Sequence, residues 1–145
     1  MGSGAARILV ALALLGAAPA ASAFAQAVYA SAQPAPNSPQ RRAILDALRP
    51  AVARALGNPI EFVVTTARVH DGWALVVAEP QRPGGGRIDI RRAYPRDWEN
   101  MDGLTVTAIL RFRGGRWTLV DHAIGATDVW YCGGATGAPR ALTNC

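Results

Sequence analysis

Residues 104–121, with the sequence LTVTAILRFRGGRWTLVD, decide the fold. Apolar and polar side chains alternate up to Phe112, as expected for a strand that buries one face. The pair Gly114-Gly115 favours a two-residue hairpin turn, and the alternation continues beyond it. A regular register from this turn predicts three cross-strand pairs: Phe112 with Trp117, Leu110 with Leu119, and Ala108 with Asp121.

A second hairpin is predicted for residues 60–77. Apolar side chains occupy even-numbered positions from Ile60 to Val64 and odd-numbered positions from Ala67 to Val69. The change of phase near residues 64–66 indicates a β-bulge, or else burial on both faces. We interpret His70-Asp71-Gly72 as a three-residue turn with glycine last. This turn predicts that Val69 pairs with Trp73 and that Ala67 pairs with Leu75.

One long helix is predicted ahead of these strands. Ser38 is a suitable N-cap and Pro39 suits the first helical position. Pro50 predicts a kink, because the apolar phase continues past it, and Gly57 suits the C-terminal cap. The predicted buried face of the helix consists of Ile44, Leu45, Leu48, Val52 and Leu56.

The chain between the two hairpins is predicted to be mostly connector. Residues 80–87, PQRPGGGR, lack the Lys-Ser/Thr and the following helix that a phosphate-binding glycine loop needs. Residues 88–90 are a candidate short edge strand. The polar stretch 91–102 is a second connector or a short helical turn that carries Tyr94 and Trp98 among charged residues.

These elements predict an α+β fold, in which one N-terminal helix packs on a curved antiparallel sheet of four to five strands. The element order over residues 39–131, with tryptophan soon after each turn in HDGWALV and RGGRWTLVD, resembles the cystatin-like or NTF2-like class. Small exported bacterial proteins show a similar layout. The resemblance implies a fold in which enzymes, inhibitors and ligand binders all occur, so it does not select a function.

The N-terminus predicts export. Residues 1–27 contain Arg7, a short apolar run and two small-x-small sites, which predict a signal peptide cleaved before Phe24 or Val28. The apolar run is too short for a stable membrane span. Residues 28–37 are then a flexible lead-in, residues 38–132 a single α+β domain, and residues 133–145 a glycine-rich tail.

Charge and cysteine content agree with an exported domain. The formal net charge is +5, and loss of Arg7 with the signal peptide lowers it to +4. In an oxidising compartment the two cysteines, Cys132 and Cys145, are predicted to form a disulfide that ties the tail. No histidine or third cysteine lies at ligand spacing from them, so no metal site and no cofactor are predicted. Export also argues against a nucleic-acid partner.

Asp121-His122 is the one pair that suggests catalysis. The regular register places Asp121 on the apolar face with Trp117 and Leu119, where a desolvated acid can act as a general base. Adjacent strand residues point to opposite faces, so His122 is not its partner. A small NTF2-like hydrolase or isomerase with an acid in a pocket between helix and sheet is therefore the alternative hypothesis. No nucleophile elbow is present.

The sequence favours a non-catalytic binding or interaction domain of the cell envelope. Its expected partner is an envelope protein or an anionic envelope polymer, and no oligomeric state is indicated. The predicted contact surface combines the aromatic residues of the polar connector with the arginines around the second turn. Its residues are Tyr94, Trp98, Arg111, Arg113 and Arg116.

Overall fold

The computed structural model describes residues 31–145. The predicted signal peptide and both of its cleavage sites lie outside the described residues. The elements, in chain order, are α1 (Pro39–Leu56), β1 (Glu61–His70), β2 (Trp73–Gln81), α2 (Ile90–Ala93), a 3-10 turn (Trp98–Asn100), β3 (Val106–Arg113), β4 (Arg116–Ile124), a second 3-10 turn (Trp130–Gly133) and α3 (Arg140–Thr143). None of the helices within residues 31–145 has the length and apolar character needed to cross a membrane.

The long helix α1 follows the sequence prediction. The Ser38 hydroxyl accepts a hydrogen bond from the backbone N–H of Arg41 at 3.2 Å, as an N-cap does. The helix continues through Pro50 to Leu56, and Gly57 ends it at a φ of 79°. The apolar face of α1 is buried against the sheet through Ile44, Leu48, Val52 and Leu56.

The sheet has four antiparallel strands in the order β1-β2-β3-β4, and it is not closed. The α+β prediction is therefore confirmed, with four strands. We call the side covered by α1 the helix face and the other side the back face. The candidate edge strand at residues 88–90 is wrong: Ile90 begins α2, and the Asp89 carboxylate caps it by accepting from the N–H groups of Arg91 and Arg92.

The predicted bulge in β1 is confirmed. The register with β2 shifts between Val64 and Thr66. Because of this extra residue, both halves of β1 bury their apolar side chains on the helix face. The main core accordingly receives Phe62 and Val64 from the first half and Val69 from the second.

The first turn differs from the prediction. It contains two residues, Asp71 and Gly72, and His70 pairs with Trp73. Both turn residues have positive φ, 48° and 72°, as a type I′ turn requires. Val69 therefore pairs with Ala74, and Trp73 lies on the back face, where it pairs with Arg111 of β3.

The second hairpin confirms two of the three predicted pairs. Phe112 pairs with Trp117, and Leu110 pairs with Leu119. A register shift then makes Val120 an extra residue, so that Asp121 pairs with Ile109 and not with Ala108. The third predicted pair is wrong because a regular alternation cannot reveal one inserted residue.

The C-terminal segment covers part of the back face. Cys132 and Cys145 form the predicted disulfide, with their Cα atoms 5.7 Å apart. An apolar contact that the sequence did not predict also holds the tail. Leu142 of α3 is 1% exposed and packs with Leu75 and Ile109 in a second, smaller core.

The described part of the lead-in contacts the domain. Ala32 forms an isolated antiparallel bridge with Val69 of β1, with N···O distances of 3.0 and 2.8 Å. The lead-in therefore covers part of the outer side of β1.

Candidate functional site

The predicted contact residues fall at two opposite ends of the sheet. Arg111, Arg113 and Arg116 lie where both hairpin turns meet, whereas Tyr94 and Trp98 lie in the connector at the other end of β2 and β3. The eight residues of β3 span about 26 Å. The structure thus brings the three arginines together and separates them from the two aromatic residues.

Arg111 is held against an aromatic ring that the sequence prediction did not connect with it. Its guanidinium lies over the indole of Trp73, 4.5 Å from the ring centroid, and its Nη1 donates to the carbonyl of Asp71 at 3.3 Å. This contact exists because the two-residue turn places Trp73 opposite Arg111. The cation–π contact orients the guanidinium at the hairpin end of the back face.

Arg113 and Arg116 face each other across the second turn. They are cross-strand partners and both are exposed. Positive φ at Gly114 and Gly115, 57° and 78°, allows the tight turn between them. Like charges directly opposite destabilise a sheet, and within the described part of the chain neither arginine forms an ion pair. We call Trp73, Arg111, Arg113 and Arg116 the tip surface.

The two aromatic residues of the connector are less accessible than the sequence predicts. Tyr94 packs against the main core, and burial raises the pKa of its phenol above the ordinary value. Trp98 is half-buried, and the guanidinium of Arg91 lies 4.3 Å from its ring centroid. These contacts hold the connector in place, and Arg91 covers one face of the indole.

Asp121 does not lie where the regular register puts it. It pairs with Ile109, which places it on the back face, and it is exposed. Its Oδ1 accepts a hydrogen bond from the backbone N–H of His122 at 2.8 Å. His122 pairs with Ala108 and so lies on the helix face, where the sequence placed Asp121. Because Val120 is an extra residue in β4, each of these two side chains lies on the face opposite to the one that the regular register predicts.

A groove that sequence reasoning missed runs between α1 and β4. It encloses a cavity of about 360 Å³. Arg54 and Arg116 contribute cationic side chains, and no Asp or Glu lines it. The indole N–H of Trp117 is buried and has no acceptor among the described residues. The lining residues are Ala47, Pro50, Ala51, Arg54, Arg116, Trp117, Thr118 and Leu119.

Two larger cavities lie near the connector. One, of about 670 Å³, is lined by both signs of charge, with Arg87 beside Glu79 and Asp89. The other, of about 600 Å³, contains Arg82 at the end of α1. The Arg82 guanidinium donates to the carbonyls of Leu56, Gly57 and Pro59 at 2.6, 2.6 and 2.9 Å. It therefore caps the helix, and these bonds use three of its five N–H donors.

Comparison with protein-family models, curated proteins and solved structures finds no match for this chain. The tip surface and the groove are the features of the structure that bear on function.

Proposed function

We propose that the protein is an exported binding domain of the cell envelope that recognises an anionic partner through the tip surface. The main observation behind this proposal is the cross-strand pair of Arg113 and Arg116. Two exposed like charges are held opposite each other, with no acidic side chain among the described residues to neutralise them. An anion bound between them converts an unfavourable pair into a favourable one.

The chemistry of the tip surface suits carboxylate or phosphate groups. Guanidinium groups bind both in a bidentate manner, and Arg111 is already oriented by Trp73. Trp73 itself is half-buried against the second core, so its contribution is to orient Arg111. These features favour an anionic envelope polymer or an acidic envelope protein as the partner.

Export is part of the same proposal. The Cys132–Cys145 disulfide fits an oxidising compartment, and the pattern of residues 1–27 predicts a signal peptide. The predicted exported form has a net charge of +4, since Arg7 contributes one charge to the +5 of the whole chain. Such a charge supports electrostatic attraction of anionic partners at low ionic strength.

The alternative hypothesis is catalysis by Asp121 in a pocket between helix and sheet. It needs an acid enclosed between helix and sheet, whereas Asp121 is exposed on the back face. Asp121 also lines neither the groove nor the two connector cavities.

Binding of a dye-labelled polyuronate, measured by fluorescence anisotropy, tests the proposal. Arg113→Gln removes one tip charge, and we expect it to weaken binding roughly fivefold because a charge-assisted hydrogen bond is lost. The matched control is Arg140→Gln, which removes the same charge from an exposed position on α3. A third variant, Trp98→Ala, tests whether the connector contributes to polyuronate binding.

Equal effects of Arg113→Gln and Arg140→Gln would mean that net charge alone drives binding, and the tip surface would be rejected. A larger effect of Trp98→Ala than of Arg113→Gln would move the contact to the connector. Absence of polyuronate binding in about 0.05 M salt, where screening is weak, would reject the proposal of an anionic polymer partner.

A further inference from the structure

The outer side of β4 is an open sheet edge. β4 is the last strand of the sheet, and no strand or isolated bridge within residues 31–145 pairs with its outer side. The other edge strand, β1, is partly covered, since Ala32 pairs with Val69. An open edge offers backbone donors and acceptors to another extended chain.

The register identifies the backbone groups that point outward. In a two-residue hairpin the flanking pair, Arg113 and Arg116, exchanges hydrogen bonds, and hydrogen-bonded pairs then alternate with non-bonded pairs. The N–H and C=O groups of Trp117 and Leu119 are therefore directed away from β3. An observed bond supports this phase: the N–H of Phe112, the partner of Trp117, donates to the Gly72 carbonyl at 2.8 Å, on the side away from β4.

The groove lies beside this same edge. Its lining comes from about two turns of α1, between Ala47 and Arg54, and from residues 116–119 of β4. Ala47, Pro50 and Ala51 give it an apolar helix side with small side chains. Arg54 on the helix and Arg116 on the strand make it cationic, and neither forms an ion pair within the described part of the chain.

A buried donor in the groove wall lacks an acceptor. Trp117 is 6% exposed, and its indole N–H has no partner among residues 31–145. Buried polar groups without partners are rare in folded proteins, and each marks a place where an acceptor is missing. This donor has no exposed surface of its own, so the open edge of β4 and the two arginines are the features that a ligand in the groove would contact.

We propose that the groove binds an extended acidic polypeptide segment, which pairs with β4 as a fifth strand. The outward backbone groups of Trp117 and Leu119 favour a polypeptide, since a polysaccharide or a lipid head group cannot continue the strand ladder. Arg54 and Arg116 favour acidic side chains on that segment. A second copy of this chain is disfavoured, because it brings a second set of arginines against the first.

This inference rests on the proposed function, because it assigns the acidic protein partner a docking mode. Arg116 belongs to both the tip surface and the groove, whereas Arg54 belongs to the groove alone and Arg113 to the tip surface alone. The two single variants therefore separate the two sites.

A short dye-labelled peptide of alternating Glu and Val is the test probe, and anisotropy is the readout. Two control peptides separate the contributions of charge and of strand pairing to the affinity. A peptide of alternating Gln and Val lacks the carboxylates. A Glu/Val peptide with alternate backbone amides N-methylated cannot pair with the strand. We expect each change to weaken binding roughly fivefold or more. Equal affinity for the N-methylated peptide would overturn strand addition, and equal affinity for the Gln/Val peptide would overturn the role of the arginines.

Variants then locate the bound peptide. Arg54→Gln is expected to weaken binding of the Glu/Val peptide more than binding of the polyuronate. Arg113→Gln is expected to weaken binding of the polyuronate more than binding of the peptide. Arg140→Gln is the charge-matched control. If the peptide does not bind but polyuronate binding still depends on Arg113, this inference fails and the proposed function stands. If neither probe binds, both fail. Dimerisation of the protein alone in sedimentation, abolished by Arg54→Gln, would replace the acidic peptide with a second copy.

Discussion

At the residue scale, Val120 determines which face of the sheet Asp121 occupies. It is the extra residue in β4, and its side chain is 44% exposed. Without it, the acid would face α1 among buried apolar side chains. A β-bulge of one residue therefore keeps a carboxylate out of the core. The sequence does not reveal this bulge, because Val120 fits a regular strand as well as its neighbours do.

We predict that Asp121→Ala changes the free energy of unfolding by no more than about 1 kcal/mol, because it removes an exposed side chain and one local hydrogen bond. Urea denaturation measures this, with Asp128→Ala as the control substitution of another exposed acid. A stabilisation well above that size would show that a buried acid had been removed, and it would contradict the bulge.

The turn at Asp71-Gly72 has a consequence for the candidate site. Asp-Gly is a strong signal for a two-residue turn, whereas a three-residue turn that includes His70 places Trp73 on the helix face, opposite to where it lies. The tip surface was consequently predicted without its aromatic member. The clustering of the arginines, by contrast, was predictable, because strand residues two apart share a face and the Gly114-Gly115 turn brings Arg116 opposite Arg113.

At the element scale, the predictable elements are those with periodic patterns. α1 and the bulged strand β1 follow directly from the spacing of their apolar residues and from the capping residues. The connector between β2 and β3 has no periodic pattern, so the sequence could not show that Tyr94 packs against the core or that Trp98 lies at the opposite end of the sheet from the tip surface. Its structure depends on tertiary contacts.

The C-terminal segment is an element held in two ways. The disulfide ties its ends, and Leu142 fills a small core on the back face. The Trp130 indole N–H also donates to the Thr107 hydroxyl at 2.6 Å. The sequence predicted only the disulfide, because one apolar residue in a glycine-rich tail gives no pattern.

We predict that Leu142→Ala lowers the free energy of unfolding by about 2–4 kcal/mol, as expected for loss of a fully buried leucine. Val129→Ala is the matched control, because Val129 lies in the same region and is 60% exposed; its effect should stay within about 0.5 kcal/mol. Denaturant unfolding with the disulfide intact provides both values. A neutral Leu142→Ala would contradict docking of the tail on the sheet.

At the scale of the whole molecule, four features occupy different parts of the sheet. The helix face contains the main core, and the middle of the back face is covered by the C-terminal segment. The hairpin end carries the tip surface, and the edge of β4 carries the groove. The fold class was predictable because alternation and helix periodicity agree along the chain. The groove was not, because it depends on how α1 lies beside an edge strand.

Chemical-shift mapping of the ¹⁵N-labelled protein, titrated with an oligouronate, tests the central claim most directly. The account predicts that the largest shifts cluster at residues 71–73 and 111–116, around the tip surface, and that they diminish as salt is raised to about 0.15 M. Shifts confined to residues 91–101, or a uniform small change over all exposed arginines, would contradict recognition of an anionic partner at the tip surface.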